Sequence, residues 1–194
     1  PQPGWVEHAP EEIWQATLAS CRDALRNQQT PTAIGITNQR ETAVLWDRRT
    51  LAAPRRAIVW QDRRTTAICD RLREDGKEPR VSELTGLRLD PYFTGTKLTW
   101  LAENDDVWKW VVDGDVVVGT VDSYLVARLT GGRVHATDPS NASRTLLCDI
   151  STGRWSEELC DLLHVPLDAL PEIRPSSGDF GRTDPDAFLG LDLP

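Results

Sequence analysis

Arg40 and Glu41 are adjacent in the chain, and together they carry chemistry suited to a hydroxylated ligand. A guanidinium offers five N–H donors in a fixed fork, while a carboxylate offers acceptors only. Vicinal hydroxyls both donate and accept, so a polyol can satisfy the pair. Neighbouring side chains on a strand point to opposite faces, so both reach one ligand only where the backbone turns. Trp60 closes another apolar run just before a polar step. An aromatic face there would cover the C–H surface of a polyol while charged groups take its hydroxyls. Taken singly, each residue has an ordinary explanation. An exposed Arg–Glu pair contributes little, and a tryptophan in an apolar run is usually core.

The elements around these residues alternate. Pro10, Glu11 and Glu12 open a helix to about Arg26, since proline fits the first turn and acids there complement the dipole. Ala33–Thr37 is a short apolar, β-branched run and predicts a buried strand, turning polar at Asn38-Gln39-Arg40-Glu41. Ligands in open α/β sheets sit outside such strand ends. Thr42–Trp46 and Ala57–Trp60 predict an antiparallel hairpin, and Asp62 an N-cap for a helix to about Arg73. Further on, Thr96–Ala102 reads as a helix and Val116–Val121 as a buried strand feeding a helix over Ser123–Leu129. Arg133–Thr137 and Arg144–Leu147 read as strands, and Ser156 opens a helix closed by Pro166. The class is therefore α/β, with a mixed sheet and flanking helices.

The 194 residues carry 39% hydrophobic and 27% charged residues, ordinary for a globular chain. A formal charge of −8 argues against nucleic acid and anionic membrane as partners, because the summed field repels both. Cys21, Cys69, Cys148 and Cys160 form no C-x-x-C and no metal pattern with the histidines, which predicts reduced thiols and a cytoplasmic setting. Gly-x-Ser-x-Gly, Gly-x-x-x-x-Gly-Lys-Ser/Thr and Gly-x-Gly-x-x-Gly are all missing. From the residues alone the reading is an α/β domain with a polyol-binding cluster at its strand ends.

Six segments, in order, carry a more specific signal: Gly4–His8, Ile34–Thr42, Ile58–Arg64, Asp90–Lys97, Gly119–Asp122 and Thr137–Thr145. With these the chain resembles the glycerol kinases within the FGGY carbohydrate kinase family, over nearly all of residues 1–194. The resemblance implies an actin-like, ribonuclease-H-like N-terminal domain, incomplete here. It implies glycerol phosphorylation by ATP with Mg²⁺, and a whole protein that is a homo-oligomer. It also places Arg40 and Glu41 on glycerol hydroxyls, Trp60 on the carbon chain, and the Tyr92 hydroxyl in the same site.

The resemblance further predicts what should lie elsewhere. A Gly-Thr-Thr phosphate hairpin is expected before Pro1, and the catalytic aspartate, in a Gly-Asp-Gln segment, beyond Pro194. The ATP-binding domain is expected to follow that. Both ends of the chain therefore read as cuts through a longer protein, and no catalytic residue is assigned within it. Two other readings accompany this one: another polyol or sugar kinase of the family, or a non-catalytic polyol-binding module.

Overall fold

The structure, a computed structural model, describes residues 2–194. Its centre is a ladder of two strongly apolar strands. β1 (Glu7–His8) leads into α1 (Pro10–Ala24), with Pro10 at the first helical position and Glu11 and Glu12 in the first turn. β2 (Val44–Asp47) and β3 (Ala57–Ile58) follow, then α2 (Thr66–Glu74), α3 (Glu78–Thr85), α4 (Thr94–Asn104) and α5 (Trp108–Val112). β4 (Val116–Gly119) runs into α6 (Val121–Leu129). β5 (Ala136–Thr137), α7 (Pro139–Ala142), β6 (Cys148–Asp149), β7 (Arg154–Trp155), α8 (Glu157–Leu162) and β8 (Glu172–Ile173) complete the order.

β2 pairs antiparallel with β4, from Val44 opposite Gly119 to Asp47 opposite Val116. Side chains alternate across a ladder, and here both faces are covered. Leu45, Val116 and Val118 face a core with Ile58, Leu98, Leu101, Trp108, Leu146 and Leu159. Val44, Trp46 and Val117 face another with Trp14, Val121, Tyr124 and Phe188. Burial on both faces is why these strands read as continuous apolar runs.

Three of the strand predictions are corrected. The expected hairpin between β2 and β3 survives as one bridge, Ala43 to Ile58; β2 ladders with β4, and the two-residue β3 with β1. Ala33–Thr37 is not a strand. It is extended coil, largely exposed, and its one inter-segment backbone bond runs from the Ile34 N–H to the Pro194 carbonyl, at 3.0 Å. A β-branched run becomes a strand only when a ladder partner takes its backbone groups, and none does so among the described residues. Arg144–Leu147 is a turn, with Leu146 at φ 65°, that carries the chain from α7 to β6. The ladders among the described residues are two-stranded. β5–β8 is parallel and the others antiparallel, so the mixed character holds without one continuous sheet.

Candidate functional site

The backbone turn that the Arg40-Glu41 chemistry requires is present. Glu41 has φ 63°, the left-handed region that non-glycine residues occupy at a cost of order 1–3 kcal/mol. The turn separates the two side chains. Glu41 is 2% exposed, and its Oε1 accepts from Nε of Arg144 at 2.8 Å. Its backbone carbonyl accepts from the Thr94 hydroxyl at 3.2 Å, which ties the turn to the start of α4. Arg40 is exposed and lines a cavity of about 630 Å³ with Ile34, Thr37, Asn38, Asp138 and Asn141. Asp138 accepts from the N–H of Asn141 and from the hydroxyls of Ser140 and Ser176. Burial pushes its carboxyl up, but these bonds outweigh burial and hold it below the usual range.

Trp60, two residues beyond β3, and Tyr92, before α4, are half-buried and meet with ring centroids 5.4 Å apart at 56°. The Tyr92 loop is fixed from two sides. Asp90 Oδ1 accepts the Tyr92 N–H at 2.9 Å, and Lys97 Nζ donates to the carbonyls of Pro91, Tyr92 and Phe93 at 2.7, 2.7 and 3.0 Å. All three ammonium protons are thus used. Burial pushes Lys97 down to about 7, against the pull of the Asp62 and Glu41 carboxylates. The Arg144 guanidinium lies 4.9 Å from the Phe93 ring and 6.0 Å from that of Tyr92. Glu41, Arg144, Tyr92 and Trp60 therefore form one continuous cluster, whereas Arg40 lines the cavity described above, which none of these four residues lines.

A close backbone approach sets this geometry. The Gly95 N–H donates to the Thr145 carbonyl at 2.7 Å, and a Cβ on Gly95 would stand 2.8 Å from that oxygen and 2.7 Å from Leu163 Cδ1. Glycine at 95 is what lets the turn carrying Arg144 lie against α4.

Lys97 and Arg144 were not singled out as site residues by sequence reasoning. For Lys97 a signal existed: it is the sole charged residue from Thr94 to Ala102, on a helix that turns Leu98 and Leu101 inward. Arg144 lies 103 residues from its partner, so no local spacing could link the two. Other residues of the recognised segments build scaffold. Asp62 does not cap α2. Arg64 folds back onto it, Nη2 to Oδ2 at 2.7 Å and Nε to Oδ1 at 2.9 Å, and the Val6 N–H also donates to Oδ2 at 2.6 Å. Arg64 also pairs with Glu7 at 2.8 Å and lies between Trp5 and Trp100, 3.7 and 4.8 Å from the ring centroids. Among the described residues no group of three or more His, Cys, Asp or Glu side chains could hold a metal ion, and no helix is long and apolar enough to cross a membrane.

The model of the FGGY family of carbohydrate kinases, N-terminal domain, matches residues 1–193. The chain belongs to this family. It is 57% identical to a glycerol kinase of Methylobacterium nodulans over its full length, and 55% identical to one of Bradyrhizobium sp. strain ORS 278 over 98% of it. It spans 39% of the length of each. Among solved structures, the glycerol kinase of Plasmodium falciparum with ADP superposes with a TM-score of 0.89 at 32% identity, over all of this chain and 40% of that one. A xylulose kinase of Rhodospirillum rubrum, at 24% identity, shares the fold with a TM-score of 0.87, over all of this chain and 40% of that one. The architecture is thus the mixed α/β, actin-like and ribonuclease-H-like fold of these kinases.

Proposed function

We propose that the chain is the acceptor-binding part of a glycerol kinase, which transfers the γ-phosphoryl group of ATP to a terminal hydroxyl of glycerol. The observation that carries this reading is identity of 53–57%, over almost the entire chain, with proteins named glycerol kinase. The geometry supports it. In this reading the Glu41 carboxylate accepts hydrogen bonds from hydroxyls, Trp60 and Tyr92 cover the carbon chain, the Tyr92 hydroxyl adds a polar contact, and Arg40 brings donors. Phosphoryl transfer depends on positioning and on stabilising charge, and these residues supply the positioning of the acceptor. ATP and Mg²⁺ belong to the proposal for the whole protein. Among the described residues no group of three or more His, Cys, Asp or Glu side chains could hold a metal ion, and no step through Mg²⁺ is derived from them. A cytoplasmic, homo-oligomeric protein is part of the same reading.

The test is a coupled ADP-release assay on the whole protein that carries this chain, with ATP, Mg²⁺ and a panel of glycerol, xylulose and gluconate. Glycerol should give the highest kcat/KM. A preference for xylulose or gluconate would move the assignment within the family, and no turnover of any of them would leave a non-catalytic binding module.

A further inference from the structure

The segment Thr137–Thr145 is prominent in the sequence, yet the roles above leave its arginine unassigned. The Glu41 side chain is 3% exposed, and Arg144 is its one side-chain partner among the described residues. A carboxylate so enclosed is costly without a cation beside it, and Arg144 supplies one. The bond is also asymmetric. Arg144 uses Nε and takes Oε1, while Oε2 receives no hydrogen bond among the described residues. That oxygen remains available to a hydroxyl. Arg40, the sequence neighbour, makes no ion pair among the described residues and is exposed, so it does not do this work.

The arginine is itself held in place. Its N–H donates to the Asn141 carbonyl at 3.0 Å, the next residue is clamped against Gly95, and its guanidinium lies against Phe93 and Tyr92. One side chain therefore touches both the Glu41 turn and the Tyr92 loop, which arise from distant parts of the chain.

We propose that Arg144 is a positioning residue of the acceptor site, acting through Glu41: it holds the carboxylate turned so that Oε2 accepts a hydrogen bond from an acceptor hydroxyl. This rests on the reading of the site as a polyol-kinase acceptor site. Its test is a double-mutant cycle in the whole protein with Arg144→Gln, Glu41→Gln and both together. Losing one charge-assisted bond should lower kcat/KM for glycerol roughly 10- to 100-fold in each single variant, with KM for ATP changed less than about twofold. Because Arg144 acts through Glu41, the double variant should be no worse than Glu41→Gln within about threefold. Arg144→Lys should recover part of the loss.

If Arg144→Gln does not fold, judged by its thermal melt, the cycle is completed with Arg144→Lys. Wild-type kcat/KM in Arg144→Gln, losses that multiply in the double variant, or an equal rise in KM for ATP would each overturn the proposal. If the wild type prefers another polyol, the glycerol assignment fails, and the cycle run on that polyol still decides Arg144. If no polyol is turned over, the proposal falls with the reading.

Discussion

His135 makes the stability of this fold depend on pH in a calculable way. Its Nε2 lies 3.1 Å from the Val118 carbonyl of the central ladder, and its ring meets Trp46 edge-on, 5.2 Å between centroids. A carbonyl only accepts, so Nε2 carries a proton. Burial pushes the imidazole down to about 4, the Arg48 cation adding to this and the Val118 bond opposing it. An unfolded histidine titrates near 6.5. The folded value is the lower one, so the contribution is fully present above about 6.5 and is lost as pH falls towards about 4, where the unfolded chain takes a proton that the native chain refuses. Between about pH 7.5 and 5 the linkage integral is about 2 kcal/mol. Asp122 acts in the opposite sense. Burial pushes its carboxyl up despite bonds from the Thr120 and Thr137 hydroxyls, a shift that favours the native state as pH falls. His135→Gln keeps an N–H for Val118 and does not titrate, while Asp122 stays the same in both proteins and cancels. Urea unfolding followed by far-UV circular dichroism at several pH values should therefore show the wild type losing about 2 kcal/mol more than His135→Gln over that range. Parallel losses would show that His135 is protonated in the native state, and the reasoning would fail.

Gly95→Ala puts a methyl group 2.7 Å from Leu163 Cδ1 and 2.8 Å from the Thr145 carbonyl, and should lower stability by about 1–3 kcal/mol in urea denaturation; an unchanged midpoint would refute the close approach. The isolated chain should show no ATP-dependent glycerol phosphorylation above buffer in a coupled assay, since it spans 39% of its relatives' length; turnover abolished by Arg40→Ala would contradict this. Because the apolar Ala33–Thr37 segment has no ladder partner among the described residues, sedimentation velocity should show association that grows with concentration, and a sharply monomeric sample would rule this out. In the whole protein, kcat/KM for glycerol should fall at least about tenfold in Arg40→Ala, KM should rise in Trp60→Ala, and Tyr92→Phe should be mildest at about 1 kcal/mol. Wild-type kinetics in Arg40→Ala would leave that residue as a surface cation.

What the sequence made legible was local. Val44–Asp47 and Val116–Gly119 announce themselves because burial on both faces demands an unbroken apolar run, and Ser156 marks a helix start by chemistry confined to a few residues. What it hid was partnership. Ala33–Thr37 has the composition of a strand and lacks the ladder, and strand β2 chose a partner some seventy residues away over the nearer β3. Asp62 carries a sound capping signal, yet Arg64 two residues on and the distant Val6 N–H outbid the helix for its oxygens. The same limit applies to the site: Glu41 is conspicuous beside Arg40, while the cation that actually meets it comes from a turn that reads as a strand.

The buried charges differ in what each leaves unused, and that difference separates scaffold from site. Lys97 spends every ammonium proton on the carbonyls of Pro91, Tyr92 and Phe93, so it can shape the Tyr92 loop but offer nothing to a ligand. Arg64 is enclosed by two tryptophan rings and two carboxylates, with its side chain 1% exposed; its Nη1 has no acceptor, but no ligand can reach it. The Glu41–Arg144 pair is built otherwise. One bond joins Nε to Oε1, the remaining carboxylate oxygen and both terminal guanidinium nitrogens have no partner among the described residues, and the arginine is 30% exposed. Unspent hydrogen-bonding capacity beside the half-buried aromatic faces of Trp60 and Tyr92 is what a polyol requires, and in this fold it coincides with the one backbone turn where Glu41 adopts a left-handed conformation.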